Sequence, residues 1–248
     1  MAEIKPPKKL YRYRRTGPSL AYTLKELSGD LWCAYAKTLN DPFDGLAKVE
    51  SEVQNHVLYN SYDPDGLQRR GDLEKDWAIA SFSETWDSPT MWAHYADNYS
   101  GVCFVYNSAI LAKSIQSFME IMLRRVDITA KPDVALLKVE YVEKHHPIYE
   151  SPFQAARTKT KHWSYEREWR IISQGFQGQE EKNKNGAKLI FDFAIESVIY
   201  GSKTDASTIK VLKSTIDELN SYEIGTKITL EALWIDHLSG VLRRDAIV

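Results

Sequence analysis

The chain has 248 residues, of which 43% are hydrophobic and 27% are charged, and its net charge is -2 at pH 7. This composition is typical of a globular protein, and it excludes both a disordered chain and a uniformly basic coat for nucleic acid. No apolar run approaches the roughly 18 residues of a membrane span and the N-terminus has no secretory pattern, so a cytoplasmic protein without membrane contact is expected.

The first half of the chain predicts short strands separated by helices. Strands are expected where apolar residues alternate, and helices where they recur every three to four residues. The strands are predicted at 10–14, 31–36, 77–83 and 102–106, and the helices at 20–27, 89–98 and 110–126. Ser88 followed by Pro89 is a strong helix start, because serine caps the first turn and proline fits its first position.

The second half contains several strands in succession. Strands are predicted at 135–142, 168–173, 188–193, 197–200 and 227–235, with a basic helical stretch at 152–162 and a surface helix at 207–220. Because the strands follow one another without regular helical crossovers, an α+β fold is expected. We predict a single domain over residues 1–248, with a flexible segment at 1–9 and a curved mixed or split sheet with flanking helices. The sequence contains no Gly-rich phosphate-binding loop, so it does not support a Rossmann or P-loop fold.

The sequence has no pattern that indicates thiol or metal chemistry. Cys33 and Cys103 lie in the apolar runs LWCAY and GVCFVY, so both are expected to be reduced core residues. His145 and His146 are adjacent and would point apart on a strand, which is not the spacing of a hydrolytic zinc site. We therefore expect no bound metal.

Two arginines near the start form the first candidate cluster. In LYRYR, a strand places Arg12 and Arg14 on one face and Tyr11 and Tyr13 on the other. Two neighbouring guanidinium groups can clamp a phosphate or carboxylate, because each presents a planar fork of donors. The alternative is an edge strand with solvated arginines.

The second cluster combines a strand with the helix that follows it. Ser81 and Ser83 have strand spacing, so both hydroxyls would face a ligand or a neighbouring strand. In the helix, Tyr95 is expected in the core and His94 on a different face. A structural role is the alternative for the serines and for His94.

The third cluster is a pair of carboxylates in KHWSYEREWR. If this segment is extended, Glu166, Glu168 and Arg170 share one face. Adjacent carboxylates repel, so one pKa should be raised unless a cation such as Arg170 or Arg12 lies between them. Such pairs also occur at surfaces, but in a cleft they can stabilise positive charge or act as acid and base.

Five motifs resemble a bacterial family of unknown function. Their order is that of the bacterial domain-of-unknown-function family 2971: LYRYR at 10–14, NDPFDG at 40–45, ASFSE at 80–84, MWAHYADNYSGVC at 91–103 and KHWSYEREWR at 161–170. The resemblance spans about Leu10 to Gly201. It implies no activity, although some members of that family are suspected of roles in phage defence.

A more distant resemblance is to the arginine-type ADP-ribosyltransferases. Those enzymes carry an arginine on the first strand, a Ser-Thr-Ser-like strand in the middle and a Glu-x-Glu near a later strand. This chain has Arg12, Ser81-Phe82-Ser83 and Glu166-Arg167-Glu168 in the same order. It departs from the pattern in having Phe82 in place of a small threonine and in having more than one arginine in the first motif.

The transferase resemblance implies a role for each cluster. Arg12, with Arg14, would hold a phosphate or ribose of nicotinamide adenine dinucleotide (NAD). Ser81, with Ser83, would support the nicotinamide ribose. Glu168, with Glu166, would contact that ribose and stabilise its oxocarbenium-like transition state. His94 and Tyr95 would lie at the rim, and the chemistry would need no metal.

The expected function is therefore NAD-dependent ADP-ribosyl transfer or NAD glycohydrolysis, in a toxin or phage-defence setting. NAD would be a substrate, the acceptor would be an unidentified protein or nucleic acid, and a partner such as an antitoxin is expected. If this function is right, Arg12, Ser81 or Ser83, and Glu166 or Glu168 should line one pocket.

Two other functions remain open. One is a nucleic-acid-directed defence effector or binding module. Its groove would combine basic side chains, which contact phosphates, with tryptophan side chains, which stack on nucleobases. Its residues would be Arg12, Arg14, Arg157, Lys159, Lys161, Trp92 and Trp163. The other is a protein-interaction domain without catalysis.

Overall fold

The computed structural model describes residues 5–41, 48–49, 77–125, 134–144, 148–149, 151–174, 186–190, 194–222 and 227–247. A sheet of ten strands organises these residues. Its strands are β1 (Lys9–Arg14), β2 (Asp30–Tyr35), β4 (Trp77–Ser83), β5 (Val102–Asn107), β6 (Val134–Lys138), β10 (Glu168–Gln174), β11 (Gly186–Ile190), β12 (Ile195–Tyr200), β13 (Thr229–Asp236) and β14 (Val241–Ala246).

The remaining elements are two short strand pairs and the helices. The pairs are β3 (Lys48–Val49) with β8 (Ile148–Tyr149), and β7 (Glu140–Val142) with β9 (Thr158–Thr160). The α-helices are α1 (Leu20–Leu27), α2 (Pro89–Tyr95), α3 (Ser108–Arg125), α4 (Pro152–Ala156) and α5 (Ala206–Ser221). Short 3-10 segments cover Gly17–Ser19, Ala36–Thr38 and Lys161–Glu166.

The large sheet is mixed and open, which confirms the predicted α+β class. Its path runs β11-β2-β4-β1-β5-β12-β13-β14, with β10 pairing both β4 and β6. Within it β12 and β13 are parallel, and the other pairs are antiparallel.

The sheet is split along one edge of β4. On its other edge, β4 pairs with β10 over its whole length, from Glu168 opposite Ser83 to Gln174 opposite Trp77. On the split edge, β1 contributes a single pair, Tyr11 opposite Ser83, and β2 pairs only with Ile79 and Ala78. The stretch of β4 between these contacts therefore faces a gap between β1 and β2.

Alternate residues of the central strands pack on opposite faces of the sheet. Leu10 and Phe104 belong to a core that includes residues of α1, α3 and α5. Tyr11, Tyr13 and Cys103 belong to a second core under α2. Cys33 and Cys103 are fully buried and unpaired, as predicted, and burial raises the pKa of the Cys33 thiol to about 12.

The basic stretch 152–162 is not one helix, contrary to the sequence prediction. Helix α4 ends at Ala156, and β9 follows. Threonine at both ends of β9 favours extended backbone, and β7 supplies a partner strand for it. The strand conformation of this segment matters for the site, because Lys159 lies on β9.

Further segments also differ from the prediction. The expected strand 135–142 divides at Val139, because β6 pairs with β10 whereas β7 pairs with β9. Helix α2 has the predicted cap, with the Ser88 hydroxyl accepting from the Met91 amide, but it ends at Tyr95. Residues Asp97, Asn98 and Tyr99 after it have left-handed backbone, which stops the helix before the predicted Asn98. Strand β14 was not predicted.

Candidate functional site

A cavity of about 230 Å³ opens at the split of the sheet. Strands β1, β2, β4 and β10 contribute to its wall, together with α2 and the segments around Asn40 and Lys159. Seven of the eight residues predicted for the site line it: Arg12, Arg14, Ser81, Ser83, Tyr95, Glu166 and Glu168. Clusters that are far apart in the sequence therefore meet in one place.

Arg12 spans the split. Its guanidinium donates to the carbonyl of Ser81 on β4 (3.0 Å) and to the carbonyl of Trp32 on β2 (2.8 Å), and its Nε lies 2.9 Å from Glu26 Oε1. The residue is only 6% exposed. Arg12 thus ties β1 to β4 and β2 across the gap, and both of its terminal nitrogens bond to backbone carbonyls of the protein.

Arg14 is the more accessible arginine of the cavity. Its side chain is 23% exposed, and its Nε lies 3.0 Å from the other carboxylate oxygen of Glu26. Its terminal nitrogens donate no hydrogen bond to any residue that the structure describes. A ligand anion can therefore reach Arg14 more directly than Arg12.

The two serines have different roles although both line the cavity. The Ser81 hydroxyl donates to the carboxylate of Glu168. The Ser83 hydroxyl is buried, donates to the backbone carbonyl of Glu166 (2.7 Å) and accepts from the amide of Thr85 (3.2 Å). Ser81 thus contacts the charged group itself, whereas Ser83 supports the backbone that carries it.

The segment that carries the carboxylate pair is a turn, not the predicted continuous strand. Glu166 ends a 3-10 segment, Glu168 begins β10, and Arg167 between them has left-handed backbone with φ 45°. That conformation is uncommon for a residue with a side chain. The Ser83 hydroxyl and the Glu84 amide hold it by binding the carbonyls of Glu166 and Arg167.

Lys159 is the cation that lies between the carboxylates. Its Nζ is 2.6 Å from Glu166 Oε2 and 3.1 Å from Glu168 Oε2. Arg170 binds Glu168 through two nitrogens, at 2.9 and 3.2 Å. The sequence had suggested Arg170 or Arg12 for the central position, but Arg12 pairs with Glu26 instead.

The surroundings shift the pKa values of Glu166 and Glu168 in opposite directions. Burial, followed by repulsion from Glu168, raises the pKa of Glu166 to about 7. Burial alone would also raise the pKa of Glu168, but Arg170, followed by Lys159, lowers it below its usual value. Near neutral pH the site therefore holds one firmly ionised carboxylate and one that exchanges a proton.

Tyr95 belongs to the carboxylate site, and His94 does not. The Tyr95 hydroxyl donates to Glu166 Oε1 at 2.5 Å. His94 is exposed, and its Nδ1 lies 3.3 Å from the hydroxyl of Tyr165. Since His94 is absent from the cavity lining, the structure gives no support for it as a cavity residue.

Part of the site lies in a segment shared with other proteins. Residues 91–171 match the family Protein of unknown function (DUF2971). No curated protein and no solved structure matches the chain. The DUF2971 segment contains Tyr95, Lys159, Glu166 and Glu168 but covers less than half of the chain, and Arg12 and Ser81 lie outside it.

Two important residues were not assigned to the site from sequence. The sequence indicates a role for Lys159, within the DUF2971 segment, only in a basic groove. No sequence motif includes Glu26, which lies with Thr23 and Leu27 on the buried side of α1. An acidic residue on the apolar side of a helix is a signal that could have pointed to Glu26.

The geometry does not favour a nucleic-acid groove. Trp92 is fully buried and its indole N–H donates to the carbonyl of Trp86 (2.6 Å), so it cannot stack on a base. Lys159 is buried as well. The more exposed Arg157 and Lys161 pair with Glu140 and Glu143, so their charges are already compensated.

The rest of the described chain adds little to the site. Asn40 lines the cavity and Asp41 is buried, but the remainder of the NDPFDG motif, 42–45, lies outside the described residues. No group of three or more His, Cys, Asp or Glu among the described residues is arranged to hold a metal ion. Among the same residues, no helix is long and apolar enough to cross a membrane.

Proposed function

We propose that the cavity binds NAD and that the protein cleaves the bond between its nicotinamide and ribose. The ADP-ribosyl group would pass to water or to a nucleophile of a protein or nucleic acid. The observation that carries this proposal is that Arg12, Ser81 and Glu168 line one cavity. Their chain order and their residue types resemble those of the arginine-type ADP-ribosyltransferases, with Phe82 in place of a small threonine.

Glu168 is the residue proposed to stabilise the reacting ribose. When the glycosidic bond breaks, its electron pair goes to the ring nitrogen of nicotinamide, and positive charge develops on the ribose. A carboxylate with a lowered pKa remains ionised throughout and favours that charge. Ser81 and Arg170 fix its orientation, so little reorganisation is needed as the bond lengthens.

Glu166 is proposed to accept a proton from the incoming nucleophile. Attack by water or another hydroxyl on the ribosyl cation forms a new bond to the anomeric carbon and releases one proton. A carboxylate with a pKa of about 7 is well suited to take up that proton near neutral pH. Tyr95 and Lys159 orient it within the cavity.

The charges around the cavity favour an anionic ligand. Four cations, Arg12, Arg14, Lys159 and Arg170, face the carboxylates of Glu26, Glu166 and Glu168, of which Glu166 is partly protonated near neutral pH. Arg14 is the most accessible of these cations and can pair with a phosphate group. We assign the diphosphate contact to Arg14, because Arg12 is held by the protein.

The direct test is to incubate the purified protein with NAD and to measure free nicotinamide by chromatography. Release of nicotinamide is expected from NAD but not from NADH, because the ring of NADH is uncharged and is a far poorer leaving group. Added nucleophiles or cell extract would show whether the ADP-ribosyl group passes to water or to another acceptor.

The Glu168→Gln variant is the control for contaminating activity. Release by the parent protein and loss of release by Glu168→Gln would support the proposal. If the parent protein releases no nicotinamide in the presence of water, nucleophiles and cell extract, the proposal is wrong. Equal release by both proteins would also contradict it, since the activity would then not come from this site.

A further inference from the structure

We propose that Glu26 is a positioning residue that sets the two arginines of the cavity. It lies on α1, outside the carboxylate pair, and its side chain is 1% exposed. Each of its carboxylate oxygens faces the Nε of one arginine, Arg12 at 2.9 Å and Arg14 at 3.0 Å. The inference rests on the proposed function only in that the ligand carries a diphosphate.

The arrangement gives Arg12 a structural role and leaves Arg14 for ligand binding. Because Glu26 takes the Nε side of Arg12, the terminal nitrogens of Arg12 point across the split to Ser81 and Trp32. Because Glu26 takes the Nε side of Arg14 as well, the terminal nitrogens of Arg14 remain for a ligand. One carboxylate therefore fixes a structural guanidinium and a ligand-binding guanidinium together.

Glu26 is itself held in place. Tyr106 on β5 donates its hydroxyl to Glu26 Oε1 at 2.8 Å, and Tyr106 is buried in the core. The two Nε–H groups approach Glu26 at ion-pair distance but without the alignment of hydrogen bonds. The contact is thus mainly one of charge, and the Tyr106 hydroxyl keeps the carboxylate from rotating.

Charge compensation is also required at this position. Burial lowers the pKa of Arg14, Arg12 lowers it further, and Glu26 opposes both effects. Without Glu26, the buried Arg12 and the partly exposed Arg14 would be two neighbouring cations on one side of β1 without this shared carboxylate. A role in charge balance alone and a role in positioning nevertheless predict opposite effects on ligand binding.

The test measures ADP-ribose binding by calorimetry, because ADP-ribose carries the diphosphate but no nicotinamide to be cleaved. Glu26→Gln makes the cavity more positive, so charge alone would tighten the binding of this anion. Positioning predicts weaker binding instead. Glu26→Asp keeps the charge but is one methylene too short to reach both arginines, so positioning again predicts a loss, of about tenfold or more, as for Arg14→Ala.

Glu196→Gln is the matched control. Glu196 also pairs with a cation of β1, Lys9 at 3.3 Å, but it does not line the cavity. Its replacement should leave ADP-ribose binding unchanged. Thermal melting shows which variants are folded. If neither Glu26 variant folds, Tyr106→Phe takes their place, and it is expected to weaken binding by freeing the Glu26 carboxylate.

The outcomes separate this inference from the proposed function. Unchanged or tighter binding by Glu26→Asp, or by Tyr106→Phe where it is needed, overturns the role of Glu26, even if the parent protein cleaves NAD. Weaker binding by these variants supports the role, even if NAD is never cleaved. Failure of the parent protein to bind ADP-ribose overturns it.

Discussion

Lys159 and Glu166 form an ion pair of 2.6 Å in which neither side chain is more than 5% exposed. The same ammonium also lies 3.1 Å from Glu168. Removing one partner of a buried pair leaves a charge that water cannot reach, and this typically costs about 3–5 kcal/mol. The pair therefore links the stability of the protein to the protonation of its carboxylates.

Lys159→Met should lower the free energy of unfolding more at pH 8 than at pH 5. Without the ammonium, the pKa of Glu166 in the folded protein rises further. A carboxyl group whose pKa is raised by folding stabilises the folded protein at low pH, and this contribution is lost as the pH increases through the raised pKa. We expect a loss of about 3–5 kcal/mol at pH 8 by urea denaturation. Lys161→Met, which removes an exposed cation paired with Glu143, should have little effect. A loss equal at both pH values would contradict this account.

Glu166 should make stability fall between pH 5 and pH 8. Its pKa is about 7 in the folded protein and near 4.5 in the unfolded chain, so the folded state holds more protons in this interval. The resulting contribution is complete below the lower value and is lost as pH rises through the upper one, by up to about 3 kcal/mol. The difference in unfolding free energy between the parent protein and Glu166→Gln should show this decline. A constant or rising difference would rule it out.

Tyr95→Phe should shift the pH dependence of nicotinamide release to higher pH. The Tyr95 hydroxyl donates to Glu166 and favours its ionised form, so removing the hydroxyl raises the pKa of this carboxyl. The midpoint is expected to move by up to about one pH unit. Tyr99→Phe is the matched control, because its hydroxyl contacts Pro89 outside the cavity. A midpoint that stays in place in Tyr95→Phe would mean that Glu166 is not the group that titrates.

Glu168→Gln should abolish NAD cleavage while NAD binding stays within a few-fold. The substitution keeps the size of the side chain but removes the charge that matters most once the ribose has become cationic. Loss of such a contact typically lowers the rate roughly 100-fold or more. Calorimetry and nicotinamide release measure the two effects separately, and Glu140→Gln on the surface is the control. A variant that keeps the parent rate at saturating NAD but binds NAD much more weakly would assign Glu168 to binding instead.

The local elements followed from the sequence because they depend on short-range periodicity. The predicted strand 77–83 has the bounds of β4, and the predicted helix 20–27 has those of α1. Alternation also placed Arg12 and Arg14 on one face of β1, where both meet Glu26. The α+β class followed from the succession of strands in the second half.

Continuity of an element was harder to predict, because it depends on partners elsewhere in the chain. The segment 152–162 was expected to be helical, but Thr158–Thr160 pairs with β7. The extended form expected for Glu166 to Glu168 is broken at Arg167, whose backbone is held by Ser83 and Glu84 of another part of the chain. Neither partner is visible in a local window of sequence.

The sequence by itself determined which residue types are available for chemistry: an arginine pair, a serine pair and a carboxylate pair. Only the tertiary structure decided their neighbours. It placed Lys159 between the carboxylates and Glu26 between the arginines, and it used Arg12 to tie the split sheet together. The physical reason is that charge pairing and burial depend on contacts between distant strands, which local periodicity does not encode.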